Sequence, residues 1–309
     1  MTHWSLLPAT DVDAQTLFNN YYIDLVQGFT EKTLGNPEDV LNAFAGIVEH
    51  VTKTTKTTFL CGLCSPLTES LLWYHPTRAP SRREAGVPGQ FPSWSWAGWK
   101  GPVRYDSFSH HPMYRRMLLR KPDSRRCYTI DAYQLIADSY QGPGRPGEGD
   151  LPDMDRDLEE TTQVMLAMLA SETRANVLYF CAVASSACSF TYRDEEIESK
   201  ERDGATEERV VVISDTGNEC GYLYGLSCRL LQGAGTKGPW LLVLLAAQRH
   251  KCAVCNPEAD DGDNYSWCRR KVLLVRRDDN EYCTRWGVGW VHYTEWDAAR
   301  LFNLLVRLV

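Results

Sequence analysis

The chain has 309 residues, of which 43% are hydrophobic and 24% charged, with a formal net charge of −7. This composition excludes a wholly disordered chain and supports one large folded domain or two smaller ones. The longest purely apolar run, Trp240 to Ala247, is far shorter than the ~20 residues of a membrane-spanning helix. The first residues lack the basic and apolar segments of a secretory signal. We therefore expect a cytoplasmic protein that does not enter membranes.

Helical patterns dominate the first 75 residues. In the first of them, Leu17, Tyr21, Leu25 and Phe29 recur every fourth residue. A second helix has a clear start, because Asn36 can cap it and Pro37 suits its first position. The apolar face of that second helix consists of Val40, Leu41, Phe44, Ile47, Val48 and Val51. These patterns predict a helical segment over residues 1–75.

Proline and glycine interrupt regular structure over residues 76–92, and a Trp-rich string follows at 91–99. Within this string, Trp94 and Trp96 alternate with serines, which predicts a half-buried strand. Residues 127–140 are rich in β-forming residues, and residues 153–170 have helical spacing.

From residue 176 onward the pattern is typical of antiparallel sheet. Strand candidates are 177–192, 210–214, 220–226, 239–247, 271–276 and 282–292. Turn signals occur at 215–218 and 278–280, and the charged residues 193–209 predict a mobile insertion. A closing helix is predicted from about Thr294, with a face of Ala298, Leu301, Leu305 and Leu308.

These elements predict an α+β fold. A helical N-terminal segment (1–75) precedes a mostly antiparallel, β-rich domain (76–309) that ends in a C-terminal helix.

Several stretches, taken together, resemble one family. They are Tyr22-Ile-Asp-Leu-Val-Gln-Gly-Phe-Thr-Glu-Lys-Thr-Leu34, the segment 38–47, Leu71-Leu-Trp73, Arg82-Arg83 and Phe91-Pro-Ser-Trp-Ser-Trp-Ala-Gly-Trp99. Their order and spacing resemble the region that follows the heterokaryon incompatibility (HET) domain in fungal HET domain-containing proteins. The segment Trp286-Gly-Val-Gly-Trp290 is similar to the C-terminal strand of those proteins. The resemblance is strong over residues 17–105 and weaker afterwards.

The resemblance implies a role in fungal non-self recognition and programmed cell death. The signature segments of the HET domain itself, which contain Trp-Gly and Trp-Ile-Asp, do not occur in this sequence; the dipeptide Trp286-Gly287 belongs to the C-terminal strand motif. We therefore expect a non-enzymatic interaction or regulatory module, whose protein partner is a HET or other cell-death domain supplied in trans.

The Trp-rich string is the main candidate for partner binding, through Trp94, Trp96 and Trp99 together with Arg82 and Arg83. Large rigid indole faces are typical of interface anchors. Strand alternation, by contrast, favours a place in the core for Trp94 and Trp96, and a small-molecule platform is a third interpretation.

Four cysteines suggest an alternative function. Cys252, Cys255, Cys268 and Cys283 have the spacing C-x2-C-x12-C-x14-C, which could supply four thiolates to zinc. With the base-like pair His110 and His111, they support a zinc- or cysteine-dependent hydrolase as the competing hypothesis. Otherwise no cofactor is expected, because the sequence has no nucleophile elbow, Walker loop or dinucleotide fingerprint.

Anion or nucleic-acid binding through residues 78–126 is a third hypothesis. This segment carries eleven basic and three acidic side chains. Its densest basic cluster consists of Arg115, Arg116, Arg120, Lys121, Arg125 and Arg126. The aromatic interleaving of a base-stacking groove does not accompany this cluster, so nucleic acid is not the expected ligand.

Overall fold

In this computed structural model, the structure describes residues 17–55, 57, 59–64, 67–77, 91–105, 110–112, 116–120, 127–132, 177–198, 206–225, 231, 240–251 and 265–309. The chain divides into two compact units, 1–107 and 108–309. The boundary therefore lies after the Trp-rich string and not at residue 75, where the sequence pattern changes. The reason is packing, because the string forms its contacts with the N-terminal helices.

The N-terminal unit is built from helices, one small hairpin (β1–β2) and a second two-stranded antiparallel sheet (β3–β4) whose strands are distant in sequence. A π-helical turn (Phe18–Tyr22) leads into helix α1, and a 3-10 turn (Pro37–Asp39) leads into helix α2. The other elements follow in chain order: α1 (Ile23–Thr30), α2 (Val40–Thr55), β1 (Phe59–Leu60), β2 (Leu63–Cys64), α3 (Leu67–Ser70), β3 (Trp73–Tyr74) and β4 (Arg104–Tyr105).

The predicted start of the second helix is confirmed. The Asn36 side chain accepts a hydrogen bond from the Glu38 amide at 3.1 Å, and Pro37 occupies the first helical position. Capping in this way satisfies an amide that the helix itself leaves unpaired.

The C-terminal unit is a large, mostly antiparallel sheet, as expected. Its first strands are β5 (His110–Pro112), β6 (Arg116–Arg120), β7 (Cys127–Ala132), β8 (Leu178–Ser186), β9 (Thr191–Glu198) and β10 (Thr206–Ile213). The remaining elements are β11 (Glu219–Tyr224), β12 (Trp240–Lys251), β13 (Tyr265–Arg277), β14 (Cys283–His292), helix α4 (Tyr293–Ala298) and β15 (Leu301–Leu308). The α+β fold class is thus confirmed.

The strand order is β7-β6-β8-β12-β13-β14-β11-β10-β9. Strand β15 pairs antiparallel with β8 along its whole length, and its last residue, Leu308, pairs in parallel with Cys283 of β14. This double pairing links β8, β12, β13, β14 and β15 into a ring of strands. Residues on both faces of the central strands are buried, and β13 is buried without interruption from Arg270 to Val275.

Two glycines allow β11 and β14 to approach closely. A Cβ atom on Gly289 would lie 1.9 Å from the Tyr222 carbonyl oxygen, and one on Gly221 would lie 2.0 Å from the Trp290 carbonyl oxygen. The glycines of the segment 286–290 thus have a packing role, because any larger residue would push these strands apart.

Both predicted turns in this unit are confirmed. Residues 215–218 connect β10 to β11, and the 278–282 turn connects β13 to β14. In the second turn, the Asp278 carboxylate accepts hydrogen bonds from the amides of Asn280 and Tyr282. This is how an aspartate side chain stabilises a tight turn.

Three predictions for this unit need correction. The strand predicted over 177–192 is divided, because a 3-10 turn (Ala187–Ser189) separates β8 from β9. The charged stretch 193–209 is not a simple insertion, because its ends belong to strands β9 and β10. Opposite charges stabilise that pair, since Arg209 is the register partner of Glu195 and the two form an ion pair at 2.6 Å. Charged side chains that alternate on a sheet edge are compatible with strand structure.

The closing helix is also shorter than predicted. It ends at Ala298, and residues 301–308 form a strand in which Leu304, Val306 and Leu308 are buried. The apolar residues of this segment are compatible with the 3.6-residue period of a helix and with the two-residue period of a strand. Pairing with β8 decides the outcome, because it satisfies the backbone and buries every second side chain.

Candidate partner-binding groove in the N-terminal unit

The Trp-rich string forms the centre of the N-terminal unit. All nine of its residues are buried, and Trp94, Trp96 and Trp99 are 0%, 1% and 8% exposed. The string forms a turn and a 3-10 helix (Trp96–Gly98) instead of the predicted strand. These three tryptophans therefore match the core alternative and do not form a partner-binding surface; Arg82 and Arg83 lie outside the described residues.

Each indole nitrogen of three tryptophans has a defined acceptor within the unit. Trp73 donates to the Trp94 carbonyl at 3.0 Å, and Trp99 donates to the Ser93 carbonyl at 2.9 Å. Trp96 donates to the Tyr22 hydroxyl at 3.2 Å. Because these polar atoms are buried, the bonds fix the orientation of the rings as well as satisfying the nitrogen atoms.

Ser95 connects the string to the β1–β2 hairpin. Its hydroxyl accepts a hydrogen bond from the Ala97 amide at 3.0 Å and donates one to the Cys61 carbonyl at 2.5 Å. The first bond caps the 3-10 helix. Gly98 completes this turn, since a Cβ atom there would lie 2.6 Å from the Pro92 carbonyl oxygen.

The hairpin turn itself rests on Trp96. Its central residues, Cys61 and Gly62, have φ angles of +48° and +87°, which is the geometry of a tight two-residue hairpin turn. A Cβ atom on Gly62 would lie 2.7 Å from the Trp96 ring. The Tyr22 hydroxyl also donates to the Gly62 carbonyl at 2.9 Å. The turn is thus held against the core from two sides.

An apolar groove of about 580 Å³ lies between helix α2 and this hairpin. Helix α2 contributes Leu41, Ala45, Val48 and Thr52 to its wall, and the hairpin contributes Phe59 and Cys61. Leu41, Val48 and Phe59 are half-buried, while Ala45 is exposed. The buried Phe44 forms the floor and packs edge-on against Trp96, with ring centroids 5.1 Å apart.

The groove has a charged but internally paired rim. Lys53 and Glu49 form an exposed ion pair at 2.5 Å, one helical turn apart on α2. The groove thus combines an apolar wall, a fixed aromatic floor and a rim without net charge. Grooves of this kind accept the apolar face of a partner helix.

A smaller pocket of about 340 Å³ lies elsewhere in the same unit. Phe29, Leu34, Trp96 and Trp99 line it, and Lys32 and Lys100 stand at its margin. Trp96 and Trp99 therefore line a cavity. Binding of a small molecule by these residues stays a prediction.

Two of the four cysteines predicted to share a zinc ion, Cys268 and Cys283, do not lie together. Cys283 on β14 is the register partner of Arg277 on β13. Cys268 lies on β13, nine residues before Arg277. At a rise of ~3.3 Å per residue this separates the two positions by roughly 30 Å. Zinc ligands must lie within ~2.3 Å of one ion, so a site that uses both residues is wrong; Cys252 and Cys255 lie outside the described residues.

Cys64, on strand β2 of the hairpin, is likewise unsuited to thiolate chemistry. Cys64 is fully buried, and this burial raises the pKa of its thiol far above the ordinary range. Its sulfur lies 3.6 Å from the Ser70 hydroxyl. A reactive cysteine requires a lowered pKa and access to solvent, and Cys64 has neither. His110 and His111 lie on β5, opposite Gln248 and Ala247.

The structure brings together one polar and aromatic row that the sequence does not suggest. Arg269 lies over Trp290 at 4.2 Å, Trp290 contacts Tyr222 at 5.4 Å, and Arg209 lies over Tyr222 at 3.6 Å. The four residues come from β13, β14, β11 and β10. Spacing along the chain gives no signal for such a row, because each strand supplies a single member.

Two further observations concern bilayers and metal ions. Within the described ranges, no helix combines the length and the apolar character needed to cross a lipid bilayer. The same part of the chain contains no group of three or more His, Cys, Asp or Glu side chains placed to share a metal ion.

The chain was compared with known proteins at three levels. Protein-family models, curated proteins and solved structures give no match.

Proposed function

We propose that this chain is a non-enzymatic interaction module of a HET-type protein, acting in the cytoplasm in fungal non-self recognition and programmed cell death. It binds a HET or other cell-death domain supplied in trans. The observation that carries the proposal is the apolar groove between α2 and the β1–β2 hairpin.

The extent of the resemblance supports this assignment. The motifs that resemble HET-type proteins cover residues 17–105, and the first compact unit covers residues 1–107. The segment with the strongest resemblance thus lies within one compact unit. Its most unusual motif, the Trp-rich string, supports the groove from below instead of forming its surface.

The composition of α2 also supports a docking role. The helix has more apolar residues than its core contact requires: Val40, Phe44 and Val51 are buried, while Leu41 and Val48 remain half-exposed in the groove. Leu41, Ala45, Val48 and Thr52 follow one another at helical spacing along the wall. A row with this spacing is complementary to an amphipathic helix of the partner.

The floor of the groove favours tight docking. Phe44, Trp96 and Phe29 contact one another edge to face, with centroid distances of 5.0 to 5.8 Å. These rings lose little conformational freedom on binding, because packing already fixes them.

The proposal is tested by co-precipitation with a HET-domain protein co-expressed in a filamentous fungal host. Ala45→Glu places a carboxylate in the groove, and Ala43→Glu places the same group on an exposed position of α2 outside it. We expect Ala45→Glu to reduce recovery of the HET-domain protein at least about 10-fold. Ala43→Glu should bind like the unmodified chain.

Two results would contradict the proposal. Equal recovery with both variants would place the contact outside the groove. Cell death on expression of the folded chain alone, without a HET-domain protein, would assign it a killing activity of its own.

A further inference from the structure

Strand β15 carries an unusual exposed surface. Among the described residues, the exposed large hydrophobic side chains are Leu301 and Phe302, at 37% and 38%. They are adjacent at the start of this strand, and Asn303 beside them is also exposed. Because adjacent residues of a strand face opposite sides of the sheet, this end of β15 exposes one large apolar side chain on each face.

The backbone of the same segment has one open edge. Strand β8 pairs with β15 from Leu301 to Leu308, whereas the other edge meets β14 only at Leu308. The amide of Val309 donates to the Cys283 carbonyl at this closing point. Within the described part of the chain, residues 301–306 have no strand partner on that edge. Among the described residues, no strand pairs with their outward amides and carbonyls, which is the arrangement that a further strand can extend.

Strand β9, at one end of the sheet, is protected in the usual way. Its sequence from Thr191 to Glu198 contains five charged residues. Arg193 pairs with Glu219, and Glu195 pairs with Arg209. Charges on an edge strand prevent pairing with other chains. Residues 301–306 contain no charge and no proline, so this edge lacks such protection.

We propose that β15 pairs antiparallel with β15 of a second copy of this chain, with Asn303 on the two-fold axis. In this register Leu301 lies opposite Leu305 and Phe302 opposite Leu304 of the other copy. Arg300 and Arg307 then lie opposite Val306 and Ala299. A shift that brings the two arginines opposite each other would place like charges together, which is unfavourable.

Self-pairing suits this strand because its uncharged centre is complementary to itself. Asn303 faces its own counterpart, and each amide can donate to the carbonyl oxygen of the other. The paired segment is short, so we expect its contact area to fall below the ~1,200 Å² of a standard stable interface. The dimer is therefore weak and depends on concentration.

Sedimentation velocity of the full chain, between about 1 and about 100 µM, tests this proposal. We expect the weight-average mass of the unmodified chain to rise towards that of a dimer. Asn303→Lys and Asn303→Asp each place like charges together on the axis, and each should weaken association at least about 10-fold. An equimolar mixture of the two variants should restore it, because opposite charges then meet.

Thr191→Lys on β9 is the matched control, since it adds the same charge at an exposed position of another edge strand. It should associate like the unmodified chain. Far-UV circular dichroism checks that every variant is folded. A chain that stays monomeric over the whole range, or variants of Asn303 that associate normally, would overturn the proposal. So would a mixture that fails to recover.

Discussion

The indole nitrogen of Trp96 donates a hydrogen bond to the hydroxyl of Tyr22, 74 residues earlier in the chain, at 3.2 Å. The Tyr22 hydroxyl donates a hydrogen bond to the Gly62 carbonyl at 2.9 Å, and the Tyr105 hydroxyl donates one to the Tyr22 hydroxyl at 3.3 Å. One buried hydroxyl thus joins the first helix, the β1–β2 hairpin, the Trp-rich string and strand β4. Burial raises the pKa of Tyr22 well above its ordinary value, so the phenol stays protonated.

Removing this hydroxyl tests its importance. In Tyr22→Phe, the Gly62 carbonyl loses its donor and the Trp96 nitrogen loses its acceptor, both inside the core. An unsatisfied buried polar group costs about 1–3 kcal/mol, so we expect the free energy of unfolding to fall by about 2–3 kcal/mol. Urea denaturation followed by tryptophan fluorescence measures this change. Tyr21→Phe alters a half-buried neighbour and should change it by less than about 0.5 kcal/mol.

Substitution by alanine should change the free energy of unfolding in opposite directions at two glycines of the N-terminal unit. In Gly62→Ala, the new methyl group meets the Trp96 ring and the backbone keeps a positive φ, so we expect a loss of about 1–3 kcal/mol. Gly46→Ala lies on α2 with open space around it and should gain up to about 1 kcal/mol. Equal losses for both variants in urea titration would contradict the described packing of the hairpin on Trp96.

Arg209 should contribute more to stability than an ordinary surface arginine. Its guanidinium lies over Tyr222 at 3.6 Å, and it forms an ion pair with Glu195 in which its side chain is only 20% exposed. We expect Arg209→Ala to cost about 1–2 kcal/mol, through lost stacking and packing.

Arg277 supplies the comparison, because its pair with Glu281 is more exposed, at 35% and 58%. Arg277→Ala should cost less than about 0.5 kcal/mol. Thermal and urea unfolding of both variants measure the difference. Identical costs would show that stacking on Tyr222 adds nothing.

Alkaline pH should weaken the C-terminal unit. Burial raises the pKa of Cys283 from its ordinary value of 9.0 to about 11 in the folded chain. Below about pH 9 the thiol is protonated in both the folded and the unfolded chain, so its contribution to the free energy of unfolding is fully present. Between about pH 9 and about pH 11 the unfolded chain loses this proton while the folded chain keeps it, and the free energy of unfolding falls.

Urea titrations at about pH 8 and about pH 10 measure this loss. Cys181, whose pKa burial also raises to about 11, contributes in the same direction. In Cys283→Ala the loss between the two pH values should be smaller than in the unmodified chain. An unchanged loss would mean that the Cys283 thiol is accessible to solvent.

Local signals in the sequence determined much of this fold. Asn36 and Pro37 mark the start of α2 because capping depends only on neighbouring residues. The turns at 215–218 and 278–282 were predictable for the same reason. The strands from β10 to β14 follow from runs of β-branched and aromatic residues between these turns, and their bounds differ from the predicted ones mainly at the ends.

Tertiary structure decided the places where local patterns support two outcomes. The alternation of Trp94 and Trp96 with serines suits a strand, but the string is buried on all sides and folds as a 3-10 turn. The apolar spacing of residues 301–308 is compatible with a helix, but these residues form a strand because their backbone pairs with β8. The groove and the row from Arg209 to Arg269 depend on contacts between distant segments. Such contacts are decided by the packing energy of the whole folded chain. A local sequence pattern cannot predict them, because it reflects only the preferences of neighbouring residues.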